Sequence, residues 1–217
     1  MNNVWGILVS IVFVIVVIGV SKIFERFGKE ASRKFIHIVL ANWWLIAMAF
    51  FDNMWAAAAV PALFVGVNYA SHKMNLIKVM ERGTEEKEDT LGTVYFALSL
   101  FVLALVTFGP LNNPLIGLCG FFVMCYGDGL AAVIGKAIKS KQYTVGGDTK
   151  SVAGSLTMFI VTLIIMGIFF YYVKTEYWII KSIVVAVIMT VFEAVSIKGI
   201  DNISVPLLTS LLAFLMI

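Results

Sequence analysis

The sequence predicts an all-α fold, a polytopic membrane helix bundle with about eight transmembrane helices and both termini outside. Three observations predict it. Of the 217 residues, 61% are hydrophobic and only 13% are charged, more apolar surface than a water-soluble domain of this length can hide, so lipid has to be the solvent. The apolar runs continue for roughly 16–24 residues without period-two alternation, the length a helix needs to cross about 30 Å of hydrocarbon. In lipid only helices or closed barrels satisfy their own backbone groups. Lys and Arg, finally, gather in alternate connections.

The elements follow in order. Residues 4–24 are too long for a signal-peptide core and lack a small-x-small cleavage site, so they read as the first span. Further spans are expected at residues 35–51, 54–70, 92–108, 114–138, 151–173, 177–196 and 203–217. The fifth carries Gly127-Asp128-Gly129, which is expected to break it. The eighth is short and tilts little if it crosses. With no low-complexity linker and no obvious repeat, residues 1–217 read as one domain. Cys119 and Cys125 sit in one apolar run on different helix faces, as buried free thiols.

Orientation comes from the positive residues. The first connection holds Lys22, Arg26, Lys29, Arg33 and Lys34; the third holds Lys73, Lys78, Arg82 and Lys87; the fifth holds Lys136, Lys139, Lys141 and Lys150; the seventh holds Lys198. Of the 16 Lys and Arg, only Lys174 and Lys181 fall on the other side. The rich side is the cytoplasm, which places an integral membrane protein in the cell membrane if the source is prokaryotic. The net charge of +3 reflects this asymmetry. No basic-aromatic surface accompanies it, so a nucleic-acid partner is not expected.

With this topology the polar residues fall at one membrane face. Arg33, Lys34 and His37 open the second span, Arg33 and His37 sharing a helix face. Thr90, Gly92 and Thr93 open the fourth. Asp128 lies toward the cytoplasmic part of the fifth, Lys150, Ser151, Gly154 and Ser155 begin the sixth, Glu193 nears the end of the seventh, and Asp201-Asn202 introduce the eighth. Taken singly, Arg33 and Lys34 also serve as positive-inside anchors, His37 as a hydrogen-bonding group in the bundle, Asp201-Asn202 as a helix cap, and residues 81–89 as a solvated loop. Asp128 and Glu193 are harder to explain that way, because a carboxylate inside an apolar span is costly unless it is paired or functional. An ion pair to a loop lysine is the structural alternative.

Two carboxylates beside lysines, an arginine and glycine-rich turns suit a Mg²⁺-bound polyphosphate, since Mg²⁺ takes one or two carboxylates and completes its shell with phosphate oxygens and water. The segment Gly146-Gly147-Asp148-Thr149-Lys150-Ser151 is expected to lead straight into a helix, whose exposed N–H groups would favour phosphate. It has no Walker A spacing, and no Gly-x-Gly-x-x-Gly fingerprint is present.

Read together, Arg33-Lys34-x-x-His37, Gly92-Thr93-x-Tyr95-Phe96, Gly127-Asp128-Gly129-x-Ala131-Ala132-x-x-Gly135-Lys136, Lys150-Ser151-x-x-Gly154-Ser155 and Glu193-x-x-x-x-x-Gly199-x-Asp201-Asn202-x-x-x-Pro206 resemble the successive blocks of the CTP-dependent polyprenol kinase family, which includes dolichol kinase, phytol kinase and the CTP-dependent diacylglycerol kinase. The resemblance implies a membrane phosphotransferase that moves the γ-phosphate of CTP to the hydroxyl of a lipid alcohol, with Mg²⁺, at the cytoplasmic face. The small size points toward a prenol such as phytol, geranylgeraniol or farnesol as the acceptor, with undecaprenol, dolichol and diacylglycerol left open.

The resemblance implies functional roles for Arg33, Lys34, Asp128, Gly135, Lys150, Ser151 and Glu193. On this reading Asp128 and Glu193 are expected to hold the metal, and Arg33, Lys34, Gly127, Gly129, Gly135, Lys136, Lys150, Ser151, Asp201 and Asn202 to surround the nucleotide phosphates. Either carboxylate or His37 would accept the hydroxyl proton. The related membrane cytidylyltransferases carry a Pro-Gly-His-Gly-Gly run that is missing here. An ion-coupled transporter is the alternative from a different class, although the carboxylates lie off the midplane and no inverted repeat is visible.

Overall fold

The computed structural model describes residues 2–74, 91–146, 148–197 and 199–217. The acidic run 81–89, Thr90, Gly147, and the cations Lys78, Arg82, Lys87 and Lys198 lie outside the described residues. The chain divides into two compact units, Met1–Pro114 and Leu115–Ile217.

The first unit is helical. Helix α1 (Asn3–Phe24) begins as expected and leads through a 3-10 turn (Glu25–Phe27) and Gly28 into α2 (Lys29–Leu40), α3 (Trp43–Phe50), α4 (Met54–Met74) and α5 (Gly92–Phe108). The run at 35–51, expected as one span, is two helices. The N–H groups of Ala41 and Asn42 turn back to the carbonyls of Ile38 and Val39 at 3.2 and 3.1 Å, and the Asn42 amide takes the Val39 carbonyl as well at 3.1 Å. An asparagine side chain that competes for backbone partners favours a turn over a continuing helix. The buried Ser32 hydroxyl donates to the Ser21 carbonyl at 2.8 Å, tying α2 to α1.

The core of this unit is aromatic. Trp43, Trp44 and Phe51 are almost fully buried. Trp44 meets Trp43 edge-on at 6.2 Å and Phe108 at 6.0 Å between ring centroids. Its indole N–H donates to the Pro114 carbonyl at 2.9 Å, the polar satisfaction a buried tryptophan needs.

The second unit begins at the second residue of α6 (Pro114–Phe122), which is followed by a π-helical segment (Val123–Asp128) and α7 (Gly129–Ala137). These form one continuous helical run, Pro114–Ala137, so Gly127-Asp128-Gly129 widens the fifth span and does not break it. A two-stranded antiparallel hairpin follows, β1 (Gln142–Val145) and β2 (Asp148–Ser151). The sequence reading placed only glycine-rich turns and a helix start here; the strands add a small sheet to the expected all-α fold. Helices α8 (Val152–Tyr172), α9 (Trp178–Val195) and α10 (Asp201–Met216) complete the unit.

Among the described residues, five helices are long and apolar enough to cross a membrane: Asn3–Phe27, Met54–Lys73, Pro114–Ala137, Val152–Tyr172 and Trp178–Val195. Gly92–Phe108 and Asp201–Met216 are shorter apolar helices. Along α8, Leu156, Ile160, Ile164 and Ile168 are all exposed. That four-residue repeat makes a continuous apolar stripe turned outward, which only lipid or a partner accommodates without cost.

Candidate active site

The second unit's polar cluster is built on the hairpin. Residues Val145 and Asp148 pair across the turn, where Gly146 adopts φ +57°, a conformation that favours glycine. Alternate residues Tyr143, Val145, Asp148 and Lys150 are half-buried, while Gln142, Thr144 and Thr149 are exposed. One strand face is therefore turned inward. Tyr143 and Lys150 are cross-strand partners on that face.

The hairpin is anchored at both ends. At its root, the Tyr143 hydroxyl and the Ser155 hydroxyl of α8 are 2.6 Å apart. At its tip, a methyl added to Gly146 would collide with the side chain of Ile197, just beyond α9. Lys150 thereby reaches the last turn of α9, where its ammonium donates to the Glu193 carboxylate at 2.6 Å and to the Glu193 main-chain carbonyl. Both side chains are largely buried, at 15% and 8% exposure. A cation at a helix C-terminus also meets the negative end of the helix dipole.

Two more carboxylates bear on Glu193. Asp128, buried at the end of the π segment, and Asp201, the first residue of α10, act on it electrostatically together with Lys150. The Asp201 carboxylate accepts from the Asn202 N–H at 3.0 Å, and Asn202 is itself buried. Among the described residues no three His, Cys, Asp or Glu converge as a group able to hold a metal ion by themselves.

Several site residues of the sequence reading turn out to shape the packing. A Cβ at Gly135 would lie 2.6 Å from the Ser151 hydroxyl and 3.3 Å from the Gly154 backbone, and one at Gly127 would lie 2.5 Å from the Met158 sulfur. These glycines let α7 and the π segment lie close against α8. Gly129 is buried beside them, whereas Lys136 is exposed on the last turn of α7.

The start of α8 differs from the expected phosphate cradle. The N–H of Val152 bonds the Lys141 carbonyl at 2.9 Å, that of Ala153 bonds the Ser140 hydroxyl at 3.1 Å, and that of Gly154 bonds the Ser151 hydroxyl at 3.1 Å. Ser151 is an N-cap in the strict sense. The three donors a helix start offers to an anion are filled by protein acceptors.

Arg33, Lys34 and His37 belong to the first unit. Lys34 is buried at 7% exposure. The His37 imidazole lies 5.0 Å from the Phe96 ring of α5, so the Arg33-Lys34-x-x-His37 and Gly92-Thr93-x-Tyr95-Phe96 blocks meet in space. The Asn68 amide of α4 donates to the Thr93 carbonyl at 3.0 Å, bracing the start of α5. Asn68 and Tyr143 were not singled out from the sequence. The first had a signal in being a lone amide in an apolar run, and the second in the Gly-Gly hairpin turn that follows it. Cys119 and Cys125 are free and buried, as expected.

Long apolar helices and a buried lysine–carboxylate cluster on the second unit define a helical membrane protein that keeps charged chemistry within its fold. The phytol kinase of Synechocystis sp. is 31% identical over 192 residues, covering 85% of this chain and 78% of the relative. Phytol kinase 1, chloroplastic, of Arabidopsis thaliana is 32% identical over 206 residues, covering 86% of this chain and 66% of the relative. A probable phytol kinase 1, chloroplastic, of Glycine max is 31% identical over 203 residues, covering 84% and 66% respectively. No protein-family model and no solved structure matches the chain. The chain belongs to the phytol kinase family, in agreement with the lipid-alcohol kinase motifs of its sequence.

Proposed function

We propose that this protein is a membrane kinase that transfers the γ-phosphate of CTP to the hydroxyl of an isoprenoid alcohol, of the phytol, geranylgeraniol or farnesol type, at the cytoplasmic face. The observation that carries the reading is the buried Lys150–Glu193 pair with Asp128 and Asp201 acting on the same carboxylate. Three of these four groups are acidic, so a bare triphosphate is repelled and a divalent cation reverses the balance. The donor set suits Mg²⁺, which prefers oxygen. Asp128 and Glu193 would hold it together with phosphate oxygens, and the ion would supply neutralisation of the triphosphate charge.

The chain's own groups supply the positioning that phosphoryl transfer chiefly demands. An ammonium has three N–H donors. Lys150 gives two to Glu193, which fixes the carboxylate, and its third is the donor proposed for a phosphate oxygen. Asp201 and Asn202 order the start of α10 beside the same carboxylate. Gly127 and Gly135 contribute indirectly, by the close approach they allow between the Asp128 segment and α8. In the first unit Arg33 and Lys34 are proposed as phosphate-binding cations. His37 or one carboxylate accepts the proton of the alcohol.

The test is phosphate transfer by purified protein with Mg²⁺ and γ-labelled CTP or ATP, offered farnesol, geranylgeraniol, phytol, a long polyprenol and diacylglycerol. Label in a prenol with CTP supports the reading. Label with ATP alone refutes the donor, and label in diacylglycerol alone refutes the acceptor. A CMP-containing lipid formed from phosphatidate would make the protein a cytidylyltransferase. Neither product would direct attention to cation-dependent uptake.

A further inference from the structure

Among the described residues, buried hydroxyls of the helices find partners, with one exception. Ser10, Thr107, Thr157, Ser182 and Thr190 each donate to the carbonyl four residues back, at 2.6–2.8 Å. Ser210 reaches across to the Ile116 carbonyl at 3.0 Å. Thr162, at the middle of α8, is fully buried, and among the described residues its Oγ1 is the one buried hydroxyl oxygen without a hydrogen-bond partner. A buried hydroxyl left without a partner is destabilising, and valine would fill the same space without that cost.

The direction of this hydroxyl is informative. It faces Gly127, whose added Cβ would lie 3.8 Å from Thr162 Oγ1, and Gly127 immediately precedes Asp128 within the π segment. Single-turn π segments in α-helices recur at functional sites. Met158, one turn earlier on α8, packs on the same glycine, its sulfur standing 2.5 Å from the same added Cβ. Methionine is the apolar side chain best able to swing aside for a ligand. Along α8 the order is therefore Ser151 and Gly154 against Gly135, then Met158 and Thr162 against Gly127. Thr162 is the deepest member of this series, about 15 Å along the helix from Val152 at 1.5 Å per residue. The phosphate donor would reach this level from the Asp128 side. An amphiphile would bring its hydroxyl to it from the apolar side, along the spans.

We propose that the Thr162 hydroxyl binds the hydroxyl of the acceptor alcohol in the place held by the Met158 side chain, opposite Gly127, the neighbour of Asp128. The inference rests on the kinase reading and deepens it by locating the acceptor. Thr162 is a positioning residue: it orients the alcohol oxygen and neither gives nor takes a proton.

The experiment compares wild type, Thr162→Val and Thr162→Ser for Tm and for steady-state kinetics with a prenol and CTP as separately varied substrates. Thr162→Val is expected to raise Tm, because an unpaired buried hydroxyl is removed. It is expected to lower kcat/KM for the alcohol on the order of tenfold, the range of one hydrogen bond, with KM for CTP unchanged. Thr162→Ser is expected to restore the alcohol kinetics. Wild-type alcohol kinetics in Thr162→Val would overturn the assignment, whatever the Tm. So would a lowered Tm with unchanged alcohol KM, the mark of a hydroxyl that holds a structural water. If the wild type itself labels no alcohol, the kinase reading has failed, and that outcome is distinct from both.

Discussion

The two units hold themselves together by different chemistry. The first relies on aromatic rings and on neutral amide or hydroxyl donors: Trp43, Trp44 and Phe108 at its core, Ser32 on Ser21, Asn68 on Thr93. It buries one cation too, Lys34. The second is held by a buried pair between oppositely charged side chains, Lys150 of β2 on Glu193 of α9. Neutral hydrogen bonds in apolar surroundings are modest and tolerant of change. A buried charge tolerates almost nothing, since its partner cannot be removed without stranding it. The difference teaches where a lost contact leaves a neutral gap and where it strands a buried charge, as breaking the Lys150–Glu193 pair would.

The comparison can be broken most decisively at Asp128. Asp128→Asn is expected to cost at least 10²–10³-fold in phosphate transfer, the scale of removing one preorganised electrostatic group. Its Tm and membrane insertion should stay near wild type. Normal turnover, measured with labelled CTP, would remove Asp128 from the chemistry and leave the acidic cluster structural.

Next in size is the ion pair. Lys150→Met strands Glu193 and is expected to destabilise the protein by about 3–5 kcal/mol, whereas Lys150→Met combined with Glu193→Met should regain most of that. Thermal unfolding in one detergent decides it, and equal losses in the single and double variants would show that the pair is not coupled. In the first unit Asn68→Ala should cost only about 1 kcal/mol, one neutral hydrogen bond, with KM for CTP unmoved. A loss as large as that of Lys150→Met would erase the contrast between the units.

The smallest effect concerns pH. Asp52 accepts from the amides of Asn3 at 2.9 Å and Asn53 at 2.8 Å, and these bonds hold its carboxyl below the usual carboxylate range. A pKa depressed in the folded state gives stability that is present above the unfolded value and lost as pH falls through the folded one. The group is fully exposed, so a slight drop in Tm on acidification, absent in Asp52→Asn, is the expected sign.

Much of the fold was legible because apolar length and helix caps are local signals. Helix α5 runs over the expected residues 92–108, and Ser151 stands at the head of α8 where the sequence placed the start of a span. What escaped was decided by competition or by partners far along the chain. Asn42 ends a helix in the midst of an apolar run through one extra side-chain bond. The hairpin lay within a segment read for its phosphate-binding potential, although Gly146-Gly147 between Tyr-Thr-Val and Asp-Thr-Lys is a turn signal in its own right.

At the candidate site the charged types were readable, because a carboxylate in an apolar run announces itself. The pairing of Lys150 with Glu193 was open from the sequence as a structural alternative, and only the hairpin register brings the two together. Gly127 and Gly135 carried an ambiguous signal. Glycine serves close backbone approach to a phosphate or to a helix equally well, and here α8 is the neighbour.

The π segment Val123–Asp128 bears on how the second unit keeps two helices in phase. On its α6 side the span docks against α10, with Ser210 on the Ile116 carbonyl and Gly120 beneath Pro206 and Ser210. On its α7 side it docks against α8 through Gly135. An i→i+5 turn accommodates one residue more than an α-turn, and one residue is worth about 100° of rotation. The wide turn thus works as a phase shifter between two docking registers. Excising a single residue from it would leave a smoother helix in which either face fits its neighbour but never both, with Asp128 swung about a quarter-turn from where Glu193 now feels it.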